Sequence, residues 1–294
     1  MHEPRDRLFQ RPATSLRSRR DLLAAGGGLA AAALPRLGWS QSPPAGAGGA
    51  AETCCPIVEL RQYTLHVGAR GPFTTLFERE FIESQEALGM RVIGQFWDLD
   101  DPERFVWMRG FPDMPSRAKS LGAFYGGPVW KQHNREANGA MIDSDNVLLL
   151  RPARPGSGVP VARLRRPGPG ATNGDAGVVV ASIHYLDADM VDPFVEFFRT
   201  AMKPRLHALG VPVLAEFTTE TSENTFRGLP VRERDRVFVW LSSFANRSEC
   251  DARLLSLRAS QRWREDASDR ILHQLARKPE ILRLSPRSRS ALRG

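Results

Sequence analysis

The first predicted strand carries two polar side chains on one face, Arg61 and Tyr63, whose types suit recognition of an anion. A guanidinium can hold a carboxylate through paired hydrogen bonds, and a phenol can donate one more. Strand alternation also places Glu59 on that face, so an alternative interpretation is a solvated surface on which Arg61 pairs with Glu59. In the functional interpretation, Arg61 and Tyr63 bind a ligand.

Arg109 lies in an aromatic strand, Phe105-Val-Trp-Met-Arg-Gly-Phe111. Alternation puts Phe105, Trp107, Arg109 and Phe111 on one face. Trp107 is better explained as a core residue than as a platform for a ligand. A buried guanidinium, however, requires a partner, which makes Arg109 a second candidate for ligand binding.

A third group surrounds the break at Gly126-Gly127-Pro128 and comprises Tyr125, Trp130 and His133. The spacing from Trp130 to His133 places both on one face of a helix. Tyr125 is a candidate ligand-binding residue. His133 could act as a general base or as an axial metal ligand. The alternative for His133 is an ordinary hydrogen-bonded histidine, and no metal site is predicted.

The elements that position these residues follow the order β-α-β-β-α-β over 57–152, called here the first half. Hydrophobic periodicity predicts strands at 57–65, 91–98, 104–111 and 146–151, and helices from Pro72 to Leu88, at 113–124 and at 129–138. Gly89 is expected to end the first helix.

The same order recurs over 177–286, the second half, after a Pro- and Gly-rich linker at 153–176. Here the pattern predicts strands at 178–186, 211–219, 236–244 and 281–284, and helices beginning at Pro193 and spanning 246–258 and 261–276. Ala87-Leu-Gly89 matches Ala208-Leu-Gly210 at an offset of 121, and Phe105-Val-Trp107 matches Phe238-Val-Trp240 at an offset of 133. The difference predicts a longer hairpin loop at Thr219–Arg234. An insertion in a single loop is what a duplication should show.

The second half keeps the scaffold residues and loses the polar ones. Trp130 corresponds to Trp263, whereas Tyr125 and His133 correspond to Arg258 and Asp266. This pattern favours one working half and one supporting half.

Four motifs in the first half resemble the NIPSNAP family: Val58-Glu-Leu-Arg-Gln-Tyr-Thr-Leu65, the Phe-Val-Trp-x-Arg-Gly-Phe strand, Tyr125-Gly-Gly-Pro-Val-Trp-Lys131 and Asp145-Asn-Val-Leu-Leu-Leu150. The second half resembles it loosely. The resemblance implies an α+β fold of two tandem ferredoxin-like units forming a dimeric α/β-barrel module. The two halves would then pair within one chain as a pseudo-dimer, or across chains as a homodimer.

The resemblance leaves the activity undefined, so two hypotheses stand. In the first, the protein is a binding or interaction module for a small apolar or carboxylate-bearing ligand near Arg61, Tyr63, Arg109, Tyr125 and His133. In the second, it is a cofactor-independent oxygenase or isomerase, with His133 as base and Arg61 holding an oxyanion; a haem-dependent oxidoreductase is a weaker third. The cofactor is therefore unknown. The sequence lacks the Gly-x-Ser-x-Gly, His-Glu-x-x-His and phosphate-loop motifs of other enzyme classes.

Composition limits the partners. The hydrophobic fraction of 41% is typical of a globular chain. Of the net charge of +8, half comes from residues 1–40, and the remaining basic residues form no stripe with aromatics. Nucleic-acid binding is therefore not expected.

The N-terminus resembles a twin-arginine export signal, with Arg19 and Arg20 followed by an uncharged run from Leu22 to Leu34. That run is too short for a stable membrane span in the mature chain. Residues 1–40 are the predicted signal, with cleavage near Ser40 or within 45–51, and 41–56 a flexible tether. A periplasmic or secreted location follows. The alternative is an Arg-rich disordered tail.

The three cysteines, Cys54, Cys55 and Cys250, show no zinc spacing. Adjacent cysteines seldom form a disulfide with each other, so Cys54 and Cys55 are expected to be unpaired. The alternative is a disulfide between one of them and Cys250. Residues 287–294 are expected to be a tail.

Overall fold

The computed structural model describes residues 52–172, 177–261, 263 and 275–294. The predicted signal with Arg19 and Arg20, most of the tether and Asp266 lie outside the described residues. No helix in the described ranges is long and apolar enough to cross a membrane.

Eight antiparallel strands form one closed barrel in an α+β fold. The first half supplies β1 (Ile57–Leu65), β2 (Arg91–Asp98), β3 (Arg104–Phe111) and β4 (Met141–Pro152). The second half supplies β5 (Val178–Leu186), β6 (Ala215–Thr219), β7 (Arg236–Phe244) and β8 (Leu275–Pro286). Around the barrel the order is β1-β3-β2-β8-β5-β7-β6-β4, so the halves meet at β2–β8 and at β4–β6. Closure leaves no free sheet edge.

The helices cover the outside of the barrel. In the first half they are α1 (Arg70–Leu76), α2 (Ile82–Glu86), α3 (Met114–Tyr125) and α4 (Pro128–Gly139). In the second half they are α5 (Val191–Phe197), α6 (Lys203–Ala208) and α7 (Arg247–Ala259). A π-helical turn joins α1 to α2 at Phe77–Phe81, and another joins α5 to α6 at Phe198–Met202. Gly89 has a positive φ of 85° and comes just after α2, so it ends the first predicted helix as expected.

Alternation along the strands divides the core into layers. Side chains such as Val58, Leu60 and Val106 fill the barrel interior, while the opposite face of β1 and β3 packs against α1–α4. The outer face of β5 and β7 packs against α5–α7 in the same way. Both faces of β1, β3, β5 and β7 are therefore buried, which explains why polar residues on β1 and β3 are not on a solvated surface.

Several predicted boundaries differ from the structure. β4 begins at Met141, earlier than expected, because a polar stretch continues the pairing with β1. β6 begins at Ala215, four residues later than expected, and β8 begins at Leu275, inside the predicted helix 261–276. Hydrophobic periodicity does not detect strand pairing through polar residues.

The expected tether, linker and tail take part in packing where they are described. Cys54 and Val159 belong to the barrel core and their backbones are hydrogen-bonded. Leu164 of the linker pairs with Leu292 of the predicted tail, and both are buried. The expectation for the cysteines was wrong: Cys54 and Cys55 form a disulfide, with Cys55 in the left-handed region at φ 64°. Cys250 is free and buried, and burial raises the pKa of its thiol to about 11.

Candidate functional site

The candidate site begins on the outer face of β1, where Glu59, Arg61 and Tyr63 alternate. Helices α1–α4 cover this face, so the three side chains are 0%, 1% and 6% exposed. The Arg61–Glu59 pair anticipated for a solvated face does form, with Nη1 2.9 Å from Oε2. It forms in the interior, where charges must be partnered.

Glu59 is surrounded by three guanidinium groups. Besides Arg61, Arg109 donates its Nε–H to Oε2 at 2.7 Å, and Arg117 donates its Nε–H to Oε1 at 2.7 Å. All four side chains are at most 1% exposed. Burial by itself would raise the pKa of Glu59, but Arg109, Arg61 and Arg117 outweigh it and hold the pKa well below its usual range. One carboxylate against three guanidiniums leaves a buried excess of two positive charges.

Each arginine takes its second partner from a neutral oxygen. Arg61 Nε donates to Tyr63 Oη, Arg109 Nη1 to Gln85 Oε1 and Arg117 Nη1 to Asn224 Oδ1, each at 2.9 Å. Burial raises the pKa of Tyr63, so its phenol stays neutral near pH 7. The three contacts therefore satisfy donors without cancelling the excess charge. Arg109 Nη2 is buried and has no hydrogen-bond partner among the described residues.

A small cavity of about 30 Å³ lies beside this cluster. Its lining comprises Gln85, Ala137, Met141 and eight aromatic side chains: Tyr63, Phe73, Phe77, Phe81, Trp107, Phe124, Tyr125 and Trp130. Within the described residues, the indole nitrogens of Trp107 and Trp130 are buried without a hydrogen-bond acceptor. The cavity as it stands has room for about one water molecule. A larger ligand would enter it only with movement of the lining side chains, and the unpaired indole donors would favour a group that accepts hydrogen bonds.

The structure brings four of the five predicted site residues together. Arg61 and Arg109 lie 5.6 and 4.9 Å from the ring of Trp107, and Arg109 lies 6.0 Å from the ring of Tyr125. Tyr63 and Tyr125 both line the cavity. Trp107, expected as core, is buried and also lines the cavity.

His133 lies apart from this group, on α4. Its Nε2 is 3.5 Å from Glu80 Oε2, its side chain is 14% exposed, and the lining of the cavity does not include it. Its role as a base stays a prediction.

Sequence reasoning missed the central role of Glu59 and the participation of Gln85, Arg117 and Asn224. Two of these had a signal. Gln85 continues the spacing of Phe73, Phe77 and Phe81, and Arg117 lies between buried Met114 and Leu121 on α3. A polar residue inside an apolar helical stripe is expected to be buried with a partner. Asn224 lies in a distant loop and had no such signal.

Comparison with known proteins identifies the first half. Residues 58–155 match the NIPSNAP family model, so this part of the chain is a NIPSNAP domain, as the resemblance predicted. No curated protein matches the chain.

Several solved structures are similar to this chain. One, from Lactobacillus acidophilus NCFM, is proposed to be a monooxygenase; it is 13% identical over 83% of this chain and 100% of that one, with a TM-score of 0.47. An anthrone oxidase-like protein is 12% identical over 78% of this chain and 90% of that one, with a TM-score of 0.48. A NIPSNAP family protein of unknown function from Agrobacterium tumefaciens C58 is 23% identical over 33% of this chain and 88% of that one, with a TM-score of 0.31.

Proposed function

We propose that the first half binds a small ligand that combines a compact apolar body with one negatively charged group, such as a carboxylate. The observation that carries this proposal is the charge of the cluster, one carboxylate against three buried guanidiniums whose other partners are neutral. Uncompensated buried charge is costly, and an entering anion would lower that cost.

The surroundings of the cluster suit the rest of such a ligand. Tyr63 accepts a hydrogen bond from Arg61 and lines the cavity, so it connects the arginine cluster to the cavity wall. Arg109 contributes an Nη2 that has no partner among the described residues. The rings of Trp107 and Tyr125 provide apolar walls. No step of this proposal requires His133.

The test compares benzoate with benzamide, which has nearly the same shape and no charge. We expect wild type to bind benzoate at least about tenfold more tightly, because only benzoate compensates the excess charge. Isothermal titration calorimetry measures both affinities, and the fluorescence of Trp107 and Trp130 gives a second readout. Arg61→Met should reduce the preference for benzoate about fivefold or more by removing one positive charge.

The matched control is Lys203→Met. Lys203 also contacts a buried carboxylate, Glu216, at 2.6 Å, but in the second half. Its removal is expected to leave the preference for benzoate unchanged. Equal affinity of wild type for the two probes, or no binding of either, would refute the proposal.

We further infer that the second half is a divergent NIPSNAP-like unit and that the two halves form one pseudo-dimer. Each half has the same strand order, β4-β1-β3-β2 and β8-β5-β7-β6. Each also has a π-helical turn, and these turns are offset by the same 121 residues as the sequence matches. Light scattering of the purified protein should therefore give the mass of one chain; a dimer would contradict this inference.

Export to the periplasm is proposed from Arg19 and Arg20 and the uncharged run that follows them. Cell fractionation with a mass measurement of the mature protein tests it. A chain of full length found in the cytoplasm would count against it.

A further inference from the structure

The hairpin loop between β6 and β7, residues 220–235, leaves its own half and packs on the first. Its partly buried Phe226, Leu229 and Val231 join the apolar cluster of the first half. The backbone N–H groups of Glu220 and Arg232 donate to the carbonyls of Leu149 and Val147 on β4, at 2.8 and 2.9 Å. This is the loop that the sequence predicted to be longer than its counterpart in the first half.

Asn224 connects this loop to the arginine cluster. Its Oδ1 accepts from Arg117 Nη1 at 2.9 Å and from the Phe226 N–H at 3.2 Å, while its Nδ2 donates to the Leu229 carbonyl at 3.0 Å. Two donors on one side and an acceptor on the other determine which way the amide faces. Asn224 is 6% exposed, so its oxygen is fixed toward Arg117 in the interior.

The chemistry of this contact matters for the charge of the site. A buried arginine usually takes a carboxylate as partner. The loop does contain one nearby, Glu233, but its Oε1 accepts from the backbone N–H of Asn224 instead. From the loop, Arg117 thus receives a neutral acceptor, so the loop adds no negative charge to the single one that Glu59 shares among three arginines.

The loop also reaches the cavity wall. The ring of Phe226 stacks on that of Tyr125, with centroids 6.0 Å apart and an interplanar angle of 24°. Tyr125 lines the cavity. One loop of the second half therefore contacts both a charged group and an aromatic wall of the first-half site.

We propose that loop 220–235 is a working part of the anion site, in which Asn224 positions Arg117 and, by being neutral, keeps the site attractive to an anion. This inference rests on the proposed function and adds to it: the site is built from both halves of the chain.

The experiment measures benzoate and benzamide binding to the full chain carrying Asn224→Asp or Asn224→Ala. Asn224→Asp keeps an acceptor for Arg117 but cancels one of the two excess charges. We expect it to lower benzoate affinity about tenfold and to change benzamide affinity by less than about twofold. Asn224→Ala should lower benzoate affinity less, about threefold, because the charge remains while Arg117 loses its orientation.

This ranking distinguishes an electrostatic role from a merely structural one. If Asn224 only anchored the loop, Asn224→Asp would be the milder variant, and both probes would weaken together. That result, or an unchanged benzoate affinity in Asn224→Asp, overturns the inference. Thr200→Asp, which adds the same charge at an exposed position of the second half, is the matched control and should behave as wild type.

The proposed function is tested separately, by the binding of the two probes to wild type. If wild type does not prefer benzoate, the anion site is wrong. If wild type prefers benzoate but the ranking of the two Asn224 variants is reversed, only the role of the loop is wrong. Should either variant fail to fold, the other still decides, since a selective loss of benzoate supports the inference and an equal loss of both probes refutes it.

Discussion

The outer sheet faces of the two halves have the same strand order and different chemistry. On the first, Glu59 lies opposite Arg109; at the equivalent register on the second, Val180 lies opposite Ser242. At offsets of 121 and 133 the sequence also replaces two helical members of the cluster: Gln85 becomes Leu206, and Arg117 becomes Cys250. The aromatic scaffold remains, since Phe73 and Phe77 correspond to Phe194 and Phe198.

The paired tryptophans show the same contrast. Trp240 donates its indole N–H to His184 Nε2 at 3.1 Å, and His184 occupies the position of Tyr63. Trp107 at the equivalent place has no acceptor for its indole N–H among the described residues. In the second half, the indole N–H therefore has an acceptor within the protein. The second half packs its sheet against its helices with one buried carboxylate, Glu216, whose partners Arg154 and Lys203 are 36% and 30% exposed. Its described strands and helices contain no buried arginine, so stability alone does not explain the arginine cluster of the first half.

The largest effect is expected from removing Glu59, the carboxylate that three buried arginines of the first half share. Glu59→Gln leaves three buried guanidiniums without an anion and should lower the free energy of unfolding by about 4 kcal/mol. Urea denaturation measures it. Glu216→Gln is the matched control in the second half; Glu216 is 1% exposed, but its partners Arg154 and Lys203 are 36% and 30% exposed and can reach water. Its cost should be about half or less, and equal costs would remove the contrast.

A somewhat smaller effect is expected on the pH dependence of stability, to which His184 of the second half and Glu59 of the first half contribute in different pH ranges. Burial lowers the pKa of His184 to about 4 from 6.5, so its contribution is complete above pH 6.5 and is lost as pH falls toward 4, by at most about 3 kcal/mol. Glu59, whose pKa is lowered, contributes above about pH 4.5, and this contribution is lost at lower pH. His184→Gln should therefore flatten stability between pH 6.5 and 4.5. An unchanged slope in that window would contradict this assignment.

The smallest effect on stability should come from removing all four charges of the cluster together. Replacing Glu59 by Leu and all three arginines by Met keeps similar volumes and removes every charge together, so the free energy of unfolding should stay within about 2 kcal/mol of wild type. Benzoate binding should be lost. If this variant is as unstable as Glu59→Gln, the cluster is structural, and the argument from the second half fails.

Much of the fold could be predicted because local patterns carry it. The ranges of β1, β2, β3, β5 and β7 agree with alternation in the sequence, and Gly89 follows the helix that it was expected to end. β4 and β8 were predicted too short because their polar segments are strands only by virtue of their neighbours. The disulfide between Cys54 and Cys55 was missed because it depends on a left-handed backbone at Cys55, which residue types did not indicate.

For the candidate site, the sequence predicted one ligand near Arg61, Tyr63, Arg109, Tyr125 and His133, and strand alternation by itself determined that Arg61 and Tyr63 share a strand face. The sequence also shows Arg258 and Asp266 at the second-half positions that align with Tyr125 and His133. The tertiary structure decided that this face is buried, that Glu59 is shared by three arginines, and that Asn224 crosses from the other half to contact Arg117. The physical reason is that charge balance in an interior depends on which distant oxygens reach each guanidinium, and residue spacing along the chain does not record that.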